Sequence, residues 1–403
     1  MDLLAFSGEI SGFPESLDLD IDQHSIINDE VVHVRHIPDK SQIEVSLRGS
    51  RCPEPVLRGR LSGAVVSLLG WHREGSVLVG KYNVPYTGRY FVEIIVLMCH
   101  GLQSNSSTEE VMDTCVEDVR RHRITALNSS IYVSSPIRHQ ISTSTGKLGY
   151  WVLRNGSQAE FMKTRVQPNG LHHLDVTKTE YTKQPPFRDY EFVLLSPDFR
   201  LPPVQCSPKL PATVKRKVDE RICSSMPRKL CFIGASHSRT AAKLLGNLAE
   251  HIPCNWPSGL ASAGQQALSM NCTDIVIGIG QWPAGYPDGF MNFTQYYESM
   301  HDGLKNVTTV IQYNATVTVR TVHENPLNHR NSACPPDDWR NPEVIRIYNQ
   351  LLARLCKELN VTLLDTSDII QPFWDTAEDW CHYANSVGKA EAHFIAHILA
   401  YFD

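Results

Sequence analysis

Two short stretches of this 403-residue chain carry residue types that do chemistry in combination. The first is Phe232-Ile233-Gly234-Ala235-Ser236-His237-Ser238-Arg239, at the end of an apolar run. A glycine that lets the chain turn sharply, followed by a serine opening a helix, sets a hydroxyl at the C-terminal edge of a sheet. The helix start also offers unpaired backbone N–H groups and the positive end of its dipole, which suit a developing oxyanion. Ser236 and Arg239, three apart, share one helical face. The second stretch is Asp379-Trp380-Cys381-His382, the only Asp-x-x-His in the chain. A serine nucleophile needs a base, and an imidazole needs a carboxylate to hold its tautomer. A spacing of three lets Asp379 and His382 meet across one turn. The chemistry these residues spell is acyl transfer through a Ser–His–Asp unit. A Gly-x-Ser-x-Gly elbow is missing, which disfavours the α/β-hydrolase arrangement.

The elements that must position these groups follow from periodicity. From residue 228 the pattern alternates between β and α. Leu230 to Ile233 and Asp274 to Ile279 read as buried strands, and His237 to Glu250 has helical spacing with Ala241, Leu244, Leu245 and Leu248 on one side. A helix is expected over Thr294 to Leu304, with a strand around Val307 to Tyr313. Pro342 opens a helix through Leu359, Val361 to Leu364 is a strand, and Ser386 to Tyr401 closes the chain as a helix. Such alternation implies a parallel sheet with helices on both faces. Residues 31–130 read differently. Ile43, Val45 and Leu47 alternate with polar neighbours, and several short β-rich runs follow, ending in Thr87-Gly88-Arg89-Tyr90 before Phe91 to Leu97. That spacing predicts an all-β sandwich. Residues 1–30 are expected to be a loose arm. Residues 131–227, broken by Pro185-Pro186, Pro197, Pro202-Pro203, Pro208 and Pro211, are expected to be an irregular connection with Tyr150-Trp151-Val152-Leu153 as a candidate strand.

The two chemical stretches, in this order and this β/α setting, resemble the SGNH/GDSL hydrolase superfamily. More narrowly they resemble its PC-esterase branch, with the plant TBL-type glycan O-acetyltransferases, the sialic-acid O-acetyltransferases and the NXPE-like proteins. Gly234, Ser236, Arg239, Asp379 and His382 match that branch's Gly-Asp-Ser-x-x-Arg start and late Asp-x-x-His. The resemblance covers residues 228–403. The Gly-x-Tyr entry into a long apolar strand is similar to late strands of Ig-like domains, which NXPE-like proteins also place before their esterase domain. The resemblance implies an SGNH-like α/β domain in which Ser236 is the nucleophile, His382 the base and Asp379 its orienting carboxylate. It implies an acetylated glycan as substrate, an acetyl donor if the enzyme is a transferase, and no cofactor. Two departures stand out. Ala235 occupies the usual Asp position, and Gly280-Gln281-Trp282 replaces the Gly-x-Asn-Asp block that lends an Asn to the oxyanion hole. Gln281 has an amide donor of the same type, Gly280 turns the chain before it, and Trp282 offers a ring that can stack on a sugar. A backbone N–H from Gly259 or Gly264 is a further oxyanion candidate. The departures also leave open a catalytically inactive binding protein with the same fold.

Composition narrows the partners. With 38 basic and 43 acidic residues, a net charge of −5 and no long run of either sign, nothing points to nucleic acid. The longest apolar stretch, Tyr90 to Cys99, carries Glu93 and is too short to span a bilayer. Eight Asn-x-Ser/Thr sequons, at Asn105, Asn128, Asn155, Asn271, Asn292, Asn306, Asn314 and Asn360, imply passage through the secretory pathway. Eleven cysteines agree with an oxidising compartment, although Met1 to Asp20 shows no signal-peptide pattern. Cys231 and Cys356 read as buried thiols, and the expected pairings are Cys254 with Cys272 and Cys334 with Cys381. His323-Glu324 lacks the second histidine of a zinc-protease helix, so metal catalysis is disfavoured. His329 and Asp337-Asp338-Trp339-Arg340 are expected in a loop over the strand ends, with Arg340 available to an acidic sugar. His172-His173 are isolated.

Overall fold

The computed structural model describes residues 23–27, 30–48, 54–84, 86, 88–107, 110–111, 130–133, 149–153, 190–194, 228–285, 291–311, 315–324, 340–374, 381–383 and 386–399. Eleven described strands precede residue 228. They are β1 Gln23–Ile27, β2 Glu30–Ile37, β3 Gln42–Arg48, β4 Val56–Ser62, β5 Val65–Leu68, β6 Gly70–Glu74, β7 Val77–Lys81, β8 Gly88–Met98, β9 Ser130–Val133, β10 Gly149–Leu153 and β11 Tyr190–Leu194. They form two antiparallel sheets, ordered β1-β2-β3-β7-β6 and β11-β10-β5-β4-β8-β9. β8 is buried along nearly its whole length, and β4 lies beside it over seven registered pairs.

Two expectations need correcting here. The stretch read as a loose arm contributes β1, paired with β2. The stretch read as irregular contributes β10, at the candidate strand Tyr150 to Leu153, and an unannounced β11, with β10 pairing to β5. Prolines punctuate that region, yet Tyr150 to Leu153 still finds an edge to extend. Trp151 is the reason it holds: it is buried and donates its indole N–H to the Ile369 carbonyl at 3.0 Å. Its ring meets Phe373 edge-on at 4.6 Å.

After residue 228 the chain alternates as expected. Five parallel strands, β12 Leu230–Gly234, β13 Ala249–Pro253, β14 Asp274–Gly278, β15 Thr316–Arg320 and β16 Thr362–Leu364, lie in the order β13-β12-β14-β15-β16. The helices are α1 Ser236–Leu245, α2 Leu260–Ser269, α3 Phe293–Ile311, α4 Pro342–Leu359, α5 Ser367–Ile370 and α6 Ser386–Ile398. In β12, Cys231 and Ile233 join the core shared with α2, α3 and α4. Leu230 and Phe232 point the other way, into the core shared with α1 and α6. A strand covered on both faces must be apolar at every position, which explains its unbroken run.

Two element expectations fail and one helix was not anticipated. The helix read to Glu250 stops at Leu245, and Ala249–Pro253 turns into an edge strand in which only Ile252 is fully buried. One buried side chain in five residues leaves no alternation to read. α2 was missed because its buried face is built from Leu260, Ala263, Gly264 and Ala267, small residues that carry little hydrophobic signal. A Cβ at Gly264 would lie 2.6 Å from Val307 Cγ2, so glycine there sets the close approach of α2 and α3. The strand expected around Val307 belongs to α3. Met300, Leu304, Val307 and Ile311 are all fully buried at helical spacing, and tertiary packing outweighs the β preference of Val and Thr. The strand itself comes later, at Thr316–Arg320.

Cysteine pairing also differs. Cys231 joins Cys272, linking β12 to the segment that enters β14, with Cα atoms 5.9 Å apart. Cys254, expected in that bond, is a buried thiol, as is Cys356. Burial pushes both thiols up to about 11, so neither is a ready nucleophile. Cys381 also keeps its thiol; Cys334, its expected partner, lies outside the described residues.

Buried polar contacts tie the antiparallel sheets to the parallel one. Arg60 is fully buried, pairs with Glu93 at 2.6 Å, donates to the Pro372 carbonyl at 2.9 Å and covers the Trp374 ring at 4.4 Å. Arg58 forms an ion pair with Glu324, next to His323 at the end of the β15 connection. The antiparallel region therefore braces the loop that carries one of the site's histidines.

Candidate active site

In a parallel sheet ordered this way, the first strand β12 has its successor β13 on one side and β14 on the other. The connections leave in opposite directions there, opening a crevice at the C-terminal ends of β12 and β14. Ser236 stands at that point, partly exposed, as the first residue of α1. The position depends on two glycines in register, Gly234 of β12 and Gly278 of β14. Gly234 has a φ of +155°, and a Cβ on it would meet Ser238 Oγ at 2.3 Å and the Gly278 carbonyl at 2.4 Å. A Cβ on Gly278 would meet the Arg320 guanidinium at 2.8 Å. Ser238 is fully buried against this glycine pair and is a packing residue.

Ala235 is the N-cap of α1 and has no side chain to cap the first turn. The first-turn N–H groups beside Ser236 therefore receive no hydrogen bond from the N-cap side chain. Arg239 is exposed on α1. Gly280 is buried, and a Cβ there would lie 2.3 Å from Val322 Cγ2, so it allows a close backbone approach. Gln281 is buried and donates from Nε2 to the His323 carbonyl. One amide N–H is thus spent on the loop, and Gln281 Oε1 is buried without a hydrogen-bond partner among the described residues. Trp282 is 40% exposed, a surface ring rather than a core aromatic. Gly259 and Gly264 lie at the start of α2 and within it; Gly264 packs against α3. Arg340, expected in an overhanging loop, is instead buried (7%) just before α4. Asp379, His329 and Asp337 to Trp339 lie outside the described residues, as do His172 and His173.

His382 comes from the segment ahead of α6. Its ring lies 5.1 Å from that of His237, the residue following Ser236. Residues separated by about 145 positions in sequence thus converge on one helix turn. Cys381 Sγ sits 3.3 Å from His382 Nδ1.

Behind this pair is a buried network that the motifs did not announce. Glu391, on α6, takes Arg320 Nη1 at 3.0 Å, the Thr366 hydroxyl at 2.6 Å and His323 Nε2 at 2.6 Å. His323 Nδ1 lies 3.0 Å from His237 Nδ1. Burial by itself would raise the Glu391 carboxyl, but the Arg320 charge, His323 and the Thr366 hydroxyl outweigh it and hold the group at about 2. Burial drives His323 below the usual imidazole range and His237 well below it. The protonation pattern follows. An ionised Glu391 only accepts, so His323 carries its proton on Nε2. Neutral His323 then accepts at Nδ1, and His237 donates from its own Nδ1. Arg320 Nη1, 3.2 Å from His323 Nε2, is held there by the carboxylate they share.

Sequence reading missed Arg320, Glu391, His237 and Thr366 as site residues, and noted His323 only to set metal chemistry aside. Glu391 was detectable: with Val387, Phe394, Ile395 and Ile398 at helical spacing, it falls on the apolar face of α6. A carboxylate on such a face demands a buried cation.

No family model and no curated protein matches the chain. Solved structures do. An acetyl xylan esterase is 15% identical, with a TM-score of 0.31, covering 42% of this chain and 98% of its own. A carbohydrate acetylesterase from Sinorhizobium meliloti is 13% identical, with a TM-score of 0.30, covering 44% of this chain and all of its own. Likenesses of that size leave the chemistry of this chain to its own residues.

Proposed function

We propose that residues 228–403 form an SGNH-type serine acyl-handling domain of the PC-esterase kind, acting on O-acetyl groups of glycans. The observation that carries the reading is the approach of the His382 ring to the α1 turn that bears Ser236, at the crevice between β12 and β14. In the proposed reaction, Ser236 Oγ attacks the acetyl carbonyl while its proton passes to His382. First-turn N–H groups of α1 and the remaining Gln281 N–H hold the oxyanion. The sugar alcohol leaves with the proton from His382. Water or a second hydroxyl then releases the acetyl group, its proton again taken by His382. Asp379 orients the imidazole. Exposed Trp282 supplies a face for a sugar ring. The antiparallel sheets before this domain fit the Ig-like region that accompanies the esterase domain in NXPE-like proteins.

The test is labelling with a serine-directed phosphonate, followed by peptide mapping, alongside acetate release from an acetylated sugar. A label on Ser236 is expected. Folded protein that takes no label and releases no acetate would favour the inactive binding protein. Acetylated acceptor formed faster than free acetate marks a transferase, and acetate alone marks an esterase.

The secretory assignment gains support from exposure. Asn105, Asn271, Asn292, Asn306 and Asn360, the sequon residues among those described, are all exposed, and the Cys231–Cys272 bond suits an oxidising lumen. Protein from a eukaryotic secretory host should therefore migrate faster after enzymatic N-glycan removal. Unchanged migration would remove this support.

A further inference from the structure

The buried network leaves one atom unaccounted for. His323 Nε2 lies 2.6 Å from Glu391 and His323 Nδ1 lies 3.0 Å from His237 Nδ1, so the chain of hydrogen bonds ends at His237 Nε2. That atom is buried and has no hydrogen-bond partner among the described residues. A buried ring nitrogen left in this state is unfavourable, which makes it a signpost for a ligand. Two further donors lie close to this ring. His237, Cys381 and His382 each offer a ligand atom within 4.8 Å of the other two. Cys381 Sγ is 3.3 and 3.6 Å from the two His382 ring nitrogens. A small cavity bordered by His237, Thr240, Leu244, His382 and Tyr383 opens beside them.

We propose that His237 Nε2, Cys381 Sγ and an imidazole nitrogen of His382 form a binding site for a zinc-class divalent cation, and that its occupancy silences the catalytic imidazole. Thiolate and imidazole are the donors such a borderline-soft ion prefers. Zinc–sulfur and zinc–nitrogen bonds of about 2.3 and 2.0–2.1 Å require the donors to stand about 3.5 Å apart. The separation between Cys381 and His382 already meets this, and the His237 ligand atom, within 4.8 Å of the other two, needs a closure of little more than about an ångström at most. The outer shell is also of the right kind. A metal-binding histidine normally gives its other N–H to an acceptor that fixes its tautomer, and here that acceptor is His323, backed by Glu391. On binding, the Cys381 thiol loses its proton to solvent and the thiolate offsets the ion's charge. Arg320 does not oppose this, because Glu391 already neutralises it. The fourth position of the tetrahedron stays open. A His382 lone pair bound to the cation can no longer accept the Ser236 proton, so the site is inhibitory.

The site stands on geometry alone; only the inhibition rests on the esterase reading. Chelator-treated protein is titrated with Co²⁺, then Zn²⁺, while absorption and released protons are recorded. One Co²⁺ per chain is expected, with a thiolate-to-cobalt charge-transfer band, tetrahedral visible bands and about one proton released. Zn²⁺ should displace it. Cys381→Ser should lose the charge-transfer band, His237→Gln should weaken binding at least about a hundredfold, and Cys254→Ser should change neither. Acetate release should fall in parallel with wild-type occupancy. Cobalt binding without a thiolate band, a band that persists in Cys381→Ser, or Cys381 mapped within a disulfide would each overturn the site. Stoichiometric binding with turnover unchanged or raised would overturn the inhibition while leaving the site. An inactive protein that still shows the band would retain the site and sink the esterase reading instead.

Discussion

Ser236→Ala is expected to lower acetyl-ester turnover by at least about 10⁴-fold and to abolish phosphonate labelling, with folding unchanged. The side chain is partly exposed, so its loss leaves no cavity in the core. His382→Ala should cost a similar factor, and the double substitution scarcely more than either alone, because members of one proton-transfer unit do not contribute additively. Asp379→Asn should retain the fold and lose most turnover through the wrong imidazole tautomer. Gln281→Ala should fall between these and wild type, at about 10²–10³-fold if its second N–H serves the oxyanion. Multiplicative losses for Ser236 and His382, or turnover surviving in Ser236→Ala, would dismantle the proposed unit. The measurement is steady-state acetate release, with circular dichroism on each variant.

Glu391→Gln should have the largest effect on stability. The carboxylate is buried and neutralises Arg320, itself 98% buried, while receiving the His323 and Thr366 hydrogens. Removing one member of such a pair leaves a charge without compensation, at about 3–5 kcal/mol. Converting Arg320 to Met in the same chain should recover part of the loss. Urea unfolding of the three variants decides this, and a double variant no more stable than Glu391→Gln would refute charge compensation as the cause. The pH dependence carries the same signature. With Glu391 held at about 2, below its ordinary 4.5, the unfolded chain binds more protons between those values. Its stabilisation is thus present above about pH 4.5 and disappears as pH falls towards 2. His237 and His323 lie below the ordinary imidazole value, so the unfolded chain also takes up their protons, and stability begins to fall below about pH 6.5. The carboxylate part of that loss should be missing from Glu391→Gln.

Periodicity and local chemistry were enough to place three of the five parallel strands, β12, β14 and β16. β12 and β14 are unbroken apolar runs, and Pro342 and Asn341 mark the start of α4 so sharply that its range was readable to the residue. Ser236 at a strand-to-helix turn was equally legible, because Gly234 must be glycine for the chain to pass Ser238 and the Gly278 carbonyl. α2 and β13 were illegible because their burial rests on small residues or on a single side chain, and the end of α3 because Val307, Thr308 and Thr309 favour strands until packing overrules them. The cysteine pairing could not be read either, since the Cys231–Cys272 bond depends on which strands become neighbours. The buried relay was the least legible part. Arg320, His323, Thr366 and Glu391 come from β15, the loop after it, the turn after β16, and α6. None has a motif, and only Glu391, a carboxylate on the apolar face of α6, stands out within its own element. Only the closing of the sheet brings four polar groups together in the core, where the pairing energy of each depends on the others being present.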